Sequence, residues 1–260
     1  MFRLLVSILR PLKRLLIHEK PVAMVLRERL DGKSVFFIQI GSNDGLQGDP
    51  LNELVRSNLE WRGIFVEPVP FLFKRLCLTY SCNSSRLAFE NVAIADDSSD
   101  KTFYYVSDRA KEALGEQLPF WYDQLGSFNR QHILSHLNGI LEPYIVEENV
   151  RCSTLADLLE RHQVSHLNLL HIDAEGYDYK ILRQLDFSKY HPDVVLFEFK
   201  HLTEDEKRDA RVMLRSEGYS LNFLDNDCLA YPYPMVSLLR KMGIWSYIAP
   251  IAKFVAQRML

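Results

Sequence analysis

Acids gather where two apolar runs end in the second half of the chain. Leu167 to Asp173 is followed by Ala174, Glu175, Gly176, Tyr177 and Asp178, and Asp193 to Phe199 carries Glu198, then Lys200 and His201. Carboxylates beside an imidazole are what a reaction uses to take a proton from a hydroxyl, or to hold a hard divalent ion. Asp173 and Glu198 are the first candidates for that chemistry. His201 either joins them or hydrogen-bonds within its own loop, and Asp178 reads as capping or lying on the helix after Gly176. Asp173, Glu175 and Glu198 are the candidate ligands for a divalent ion, taken as Mg²⁺. His132 and His136 lie one helical turn apart and could face an acceptor or a metal. No partner for them can be named from the sequence, and they read as a solvated helix face.

A second group of residues reads as a binding turn. Phe36 to Ile40 is a short run of aromatic and β-branched residues that breaks into Gly41-Ser42-Asn43-Asp44-Gly45. Glycine lets a backbone bend sharply and approach a ligand with no Cβ in the way. Ile64-Phe65-Val66-Glu67 then places an acid at the end of the next apolar run, which Pro68 and Pro70 terminate. In a doubly wound sheet that is where a carboxylate meets the hydroxyls of a ribose. The dinucleotide fingerprint G-x-G-x-x-G is incomplete, because its middle glycine is missing, and Asp44 would repel a phosphate. The P-loop lysine is absent. A nicotinamide-dependent oxidoreductase is therefore disfavoured. A ligand with a ribose and an adenine but no phosphate fits better, namely S-adenosylmethionine.

The elements that must hold these residues alternate between strand-like and helix-like patterns. Leu51, Leu54, Val55 and Leu59 have the spacing of an amphipathic helix, with Asp49-Pro50 as its expected start. Leu87 to Ile94 reads as a third strand and the loop after it, containing Asn91, Val92 and Ala93. Thr102 to Val106 reads as an added strand. Residues 107–149 lose all periodicity, and an excursion of that length inside such a domain is usually a lid or a substrate-binding insert. Thr154 with Asp157, and Thr203 with Glu206, look like helix starts, and Gly218 looks like a helix stop. Tyr219 to Leu224 and Cys228 to Tyr231 suggest a closing hairpin. The expected fold is α/β and Rossmann-like. It has a mostly parallel, doubly wound sheet with a C-terminal antiparallel hairpin, and an insert before strand four.

Composition narrows the class. The chain has 260 residues, 47% hydrophobic and 25% charged, with a formal net charge of −3. That is an ordinary globular balance with no whole-chain case for nucleic-acid binding. Cys77, Cys82, Cys152 and Cys228 have neither metal spacing nor a paired framework, so free thiols in the cytoplasm are expected. No apolar run approaches the ~20 residues of a membrane span. The ends are different. Residues 1–30 carry Arg3, Arg10, Lys13, Arg14, Lys20, Arg27 and Arg29 against Glu19 and Glu28, with leucines at roughly helical spacing. Residues 235–260 carry Arg240, Lys241, Lys253 and Arg258 and no acid. Either end could pack on the domain or lie against a membrane surface as a basic amphipathic helix. The expected division is 1–33 (N-terminal helical segment), 34–232 (the domain) and 233–260 (C-terminal helical segment).

Taken in order, Gly41 to Gly45, Trp61-Arg62-Gly63-Ile64-Phe65-Val66-Glu67-Pro68, Asn91-Val92-Ala93-Ile94, Ile172 to Asp178 and Leu196 to His201 resemble the FkbM family of methyltransferases. The resemblance spans roughly residues 34 to 230; Ser42 departs mildly from the alanine common after the first glycine. It implies a class I methyltransferase fold, S-adenosylmethionine as donor and a hydroxyl acceptor on a glycan or other small metabolite. Gly41, Ser42, Asn43 and Gly45 would lie along the donor's methionine and ribose. Glu67 and Pro68 would meet the ribose hydroxyls, Asn91, Val92 and Ala93 would flank the adenine, and Asp173 would reach both donor and acceptor. Methyl transfer to an alcohol needs its proton removed, so Asp173, Glu198 and His201 are the expected catalytic residues. The alternative is a non-catalytic, methyltransferase-like module that associates with a membrane or a protein.

Overall fold

The computed structural model describes residues 22–80 and 86–258. Cys82 and the first twenty-one residues of the basic N-terminal stretch lie outside the described residues. Five parallel strands form the centre of the molecule: Phe36–Ile40 (β1), Arg62–Val66 (β2), Leu87–Glu90 (β3), Leu169–Ile172 (β9) and Val194–Glu198 (β10). Tyr219–Leu224 (β11) and Asp227–Pro232 (β12) pair antiparallel, and β12 also runs antiparallel to β10. The sheet order is β11-β12-β10-β9-β1-β2-β3. It reverses direction between β1 and β9, which opens a crevice at the carboxyl ends of those strands.

Alternation along each strand divides the core in two, because successive side chains point to opposite faces. Phe37, Phe65, Leu169 and Leu196 enter one core, and Ile38, Ile64, Leu170 and Phe197 the other. Helices Val22–Leu30 (α1), Asn52–Ser57 (α2) and Pro70–Thr79 (α3) contribute to the first. Leu26 and Leu30 of α1 are fully buried there, and Arg29 stacks 3.4 Å over the Tyr231 ring. Residues 22–30 of the basic N-terminal stretch thus pack on the domain. Leu155–Arg161 (α6), Asp178–Leu182 (α7) and Glu204–Ser216 (α8) cover the other face.

Local chemistry starts and stops these helices. The Thr154 hydroxyl accepts the Asp157 N–H at 3.0 Å, and Thr203 and Glu206 form a reciprocal capping box before α8. Asp49 does not cap α2. Its carboxylate accepts the Leu51 N–H at 2.8 Å and the Gln39 amide at 3.0 Å, binding the turn back onto β1.

The segment before β9 is a second layer over the crevice. Lys101–Val106 (β5), Gly126–Ser127 (β6) and Ile145–Val150 (β7) form a three-stranded antiparallel sheet with β5 in the middle. Between its strands lie Arg109–Leu114 (α4), Arg130–Leu134 (α5) and short 3-10 turns, gathered on Val106, Leu118, Tyr122 and Ile133. Ala93–Ile94 (β4) pairs with Cys152–Ser153 (β8) where the chain leaves and rejoins the main body. At the C-terminus, Pro234–Lys241 (α9) and Trp245–Arg258 (α10) follow the hairpin. Val236 and Trp245 are buried there, while Met235, Leu238, Met242, Tyr247 and Ile251 are exposed. No helix among the described residues is long and apolar enough to cross a membrane.

Candidate active site

The turn after β1 must pass the end of β9 at very close range. Gly41 has φ +77°, and a Cβ on it would overlap the carbonyl oxygen of Asp173. Only glycine meets both demands. Its N–H and that of Ser42 both donate to the Val66 carbonyl, at 3.0 and 3.1 Å, while the Asp173 N–H donates to the Ile40 carbonyl at 2.9 Å. These bonds bring the ends of β1, β2 and β9 together.

Glu67, immediately after β2, is 2% exposed. One carboxylate oxygen accepts the Asn43 N–H at 2.8 Å and the other accepts the Val69 N–H at 2.8 Å. Burial, with Asp44 adding to it, pushes the carboxyl up to about 7 against the pull of those amides. Each oxygen keeps a lone pair for a further donor. The side chain of Asn91 donates to the carbonyls of Glu67 and Pro68 at 2.8 and 3.0 Å, which fixes the turn that carries the acid.

Glu67 lines a narrow cleft at the switch between β1 and β9, the place where sheets of this kind bind ligands. Gly41, Asn43, Pro68, Val92, Ala93 and Asp173 line it as well. Ser42, Gly45 and Asn91, expected to touch the same ligand, do not. Ser42 is buried, with its hydroxyl donating to the Gln39 carbonyl at 3.0 Å and accepting the Val66 N–H. Gly45 packs against Leu76 and Tyr80. All three shape the cleft from behind.

Residues that the sequence did not single out complete the walls. Gln124 and Phe128 come from the insert, and Tyr177 and Ile181 from the segment after β9. Phe128 packs edge-on against Phe103 and tilted against Tyr177, with ring centres 5.1 and 5.0 Å apart. Tyr177 stood inside the acidic run after Asp173, which was its only signal. Phe128 had none.

The acids at the strand ends fall into two tiers. Asp173 and Glu175 line the cleft, whereas Glu198 and His201 stand behind Glu175. His201 Nε2 lies 3.5 Å from Glu198 and 4.0 Å from Glu175, and His132 Nε2 lies 2.7 Å from Glu175. Burial and the surrounding carboxylates push Asp173 and Glu198 well above the usual carboxylate range. Burial holds the His201 imidazole down at about 4. Asp178 is fully buried and accepts the N–H groups of Ala174, Gly176 and Glu198 at 3.2 to 3.3 Å. It braces the loop after β9 against the end of β10.

The carboxylate set Asp173, Glu175 and Glu198, expected to hold Mg²⁺, does not converge. Among the described residues, the groups whose ligand atoms lie within 4.8 Å of one another are His132-His136-His201 and Glu175-Glu198-His201. Asp173 belongs to neither. His132 and His136 are not a solvated helix face either. They are partly buried, with ring centres 4.8 and 5.5 Å from that of His201.

A family profile described as "Methyltransferase FkbM domain" matches residues 39–221. No curated protein sequence matches the chain. Among solved structures, similarity extends to the "METTL16 MTase domain", at 10% identity and TM-score 0.43, over 81% of this chain and 65% of that one. This chain thus spans less than two thirds of that structure. It is also similar to a precorrin-6y C5,15-methyltransferase from Geobacter metallireducens GS-15, at 12% identity and TM-score 0.39, covering 83% of this chain and 90% of that one. A ribosomal protein L11 methylase from Lactobacillus delbrueckii subsp. bulgaricus shows 11% identity and TM-score 0.39, with coverages of 81% and 77%.

Proposed function

The chain belongs to the FkbM family of methyltransferases, and from that premise we propose that it is an S-adenosylmethionine-dependent O-methyltransferase of class I architecture. Its acceptor is a hydroxyl on a glycan or a related small metabolite. The observation that carries the reading is Glu67, a buried carboxylate at the end of β2 that is held by two backbone amides and lines the cleft beside the glycine turn. Its free lone pairs suit the paired hydroxyls of a ribose. Val92, Ala93 and Ile94 offer an apolar wall to a purine ring. A cationic ligand in the cleft would favour the ionised forms of the carboxyls that line it, Glu67, Asp173 and Glu175. Bound there, S-adenosylmethionine supplies an electrophilic methyl group on a positively charged sulfonium.

An attacking hydroxyl must give up its proton as the new C–O bond forms. Asp173 lines the cleft and is the residue we assign as general base. Glu198 and His201 act from behind Glu175 as positioning residues. The insert residues Gln124 and Phe128 close the acceptor side and exclude water. Beyond the acceptor, a cytoplasmic protein in peripheral contact with a membrane is proposed, supported by the basic termini and the apolar side chains exposed on α9 and α10.

The test is donor turnover across a panel of glycans and metabolites, with mass analysis of the product. A gain of one methyl group on oxygen is expected, lost in Asp173→Asn. Full turnover by that variant would remove Asp173 from the reaction, and methylation on nitrogen or carbon would refute the O-methyl assignment.

A further inference from the structure

Three imidazoles and two carboxylates from distant parts of the chain meet beside the cleft. His132 lies on α5 and His136 just beyond its end, so both belong to the insert. Glu175 follows β9 and His201 follows β10. Glu175 has φ +49°, a conformation that non-glycine residues seldom adopt, and Gly176 after it has φ +90°. That turn brings the segment up against the His201 backbone, which a Cβ on Gly176 would meet at 3.4 Å.

We propose that His132, His136, His201 and Glu175 bind a divalent transition-metal ion of the zinc type, which clamps the insert onto the ends of β9 and β10. The ligand atoms of the three histidines already lie within 4.8 Å of one another. A tetrahedral zinc site, with metal–nitrogen bonds of ~2.0–2.1 Å, needs them about 3.4 Å apart, a contraction that side-chain rotation can supply. Glu175, whose ligand atoms group with those of Glu198 and His201 rather than with the three histidines, lies 2.7 Å from His132 and 4.0 Å from His201 and would move in as the fourth ligand. The outer contacts are also those of a ligand set. His136 Nδ1 lies 2.9 Å from the His132 carbonyl, which can only accept. The proton is therefore on Nδ1, and Nε2 presents its lone pair. His201 is partly buried. The Glu198 carboxylate has one oxygen 3.5 Å from the same His201 Nε2 that faces Glu175, and another with no hydrogen-bond partner. Three imidazoles and one carboxylate favour zinc, cobalt or nickel over magnesium, which prefers octahedral oxygen sites.

This inference does not depend on methyl transfer. The experiment is Co²⁺ and Zn²⁺ titration of the tag-free full chain after chelator treatment, followed by visible absorption and competition with a metal indicator. One equivalent is expected to bind and to give the visible bands of tetrahedral Co²⁺, with millimolar Mg²⁺ unable to displace it. His136→Ala and His201→Ala should each weaken binding at least a hundredfold. Circular dichroism of the metal-free variants checks that they remain folded, and S-adenosylmethionine titration on the same samples reads the donor site separately. Absence of saturable binding by the unaltered chain, or unchanged affinity in either variant, would overturn the proposal and leave the cluster a hydrogen-bond network.

Discussion

Glu67 carries two demands at once: it must stay buried, and it must accept hydrogen bonds from a ligand. Its proton affinity of about 7 links them. A ribose diol donates to the ionised carboxylate, so donor affinity should rise as pH rises through 7, with Asp44 and Asp173 the other acids facing the group. Calorimetry at pH 6.5 in buffers of different ionisation heat should detect a proton released on binding; a pH-independent affinity would separate Glu67 from the ligand. This residue was legible in the sequence because an acid closing an apolar run before proline has few structural uses. Asp173 was legible as an acid at the end of a strand-like run. His132 and His136 were not, since their partners Glu175 and His201 are far away in the chain and no local spacing announces them. Ser42 and Asn91 stood in the right turns, but sequence position does not say which way a side chain points.

At the scale of elements, the site depends on how closely the turn after β1 passes β9. Gly41→Ala forces a Cβ into the Asp173 carbonyl at a positive φ, so thermal or denaturant unfolding should show a loss of about 3 kcal/mol or more, with donor binding abolished. Stability equal to the parent chain would mean that this approach is not needed. Asn91→Ala removes two bonds to the turn carrying Glu67, a loss of about 1–2 kcal/mol. Its kinetic signature should be a raised donor KM with kcat little changed, as expected of a residue that supports binding but touches no reacting atom. The parallel strands could be read from apolar runs bounded by glycine and proline. The insert could be located but not shaped, because its short helices and 3-10 turns rest on contacts such as Val106 with Tyr122 and Ile133, which carry no period.

Across the whole molecule, buried acids set how stability varies with pH. Folding raises Glu67 from 4.5 to about 7 and Asp49 from 3.8 to about 6, so the folded chain holds protons that the unfolded chain has released. That contribution, about 3 kcal/mol for Glu67, is complete below about pH 4 and is lost as pH rises through 6 and 7. The unfolding midpoint of the ligand-free chain should therefore fall between pH 5.5 and 8. Glu67→Gln should flatten the fall, and an unchanged profile would show that Glu67 does not hold the proton. A mostly parallel sheet followed from the alternation of strands and helices. That the basic N-terminal stretch packs on the domain was one of its two readings, and the burial of Leu26 and Leu30 against the Phe37 core decides it for residues 22–30. A methyltransferase and a non-catalytic module built on the same sheet differ at one point, whether the cleft takes the donor. Calorimetric titration of S-adenosylmethionine into the parent chain and into Glu67→Ala decides it. One-site binding is predicted for the parent chain, weakened by at least about a hundredfold in the variant by the loss of two charge-assisted hydrogen bonds. No binding by the parent chain, or equal binding by both, would contradict the account.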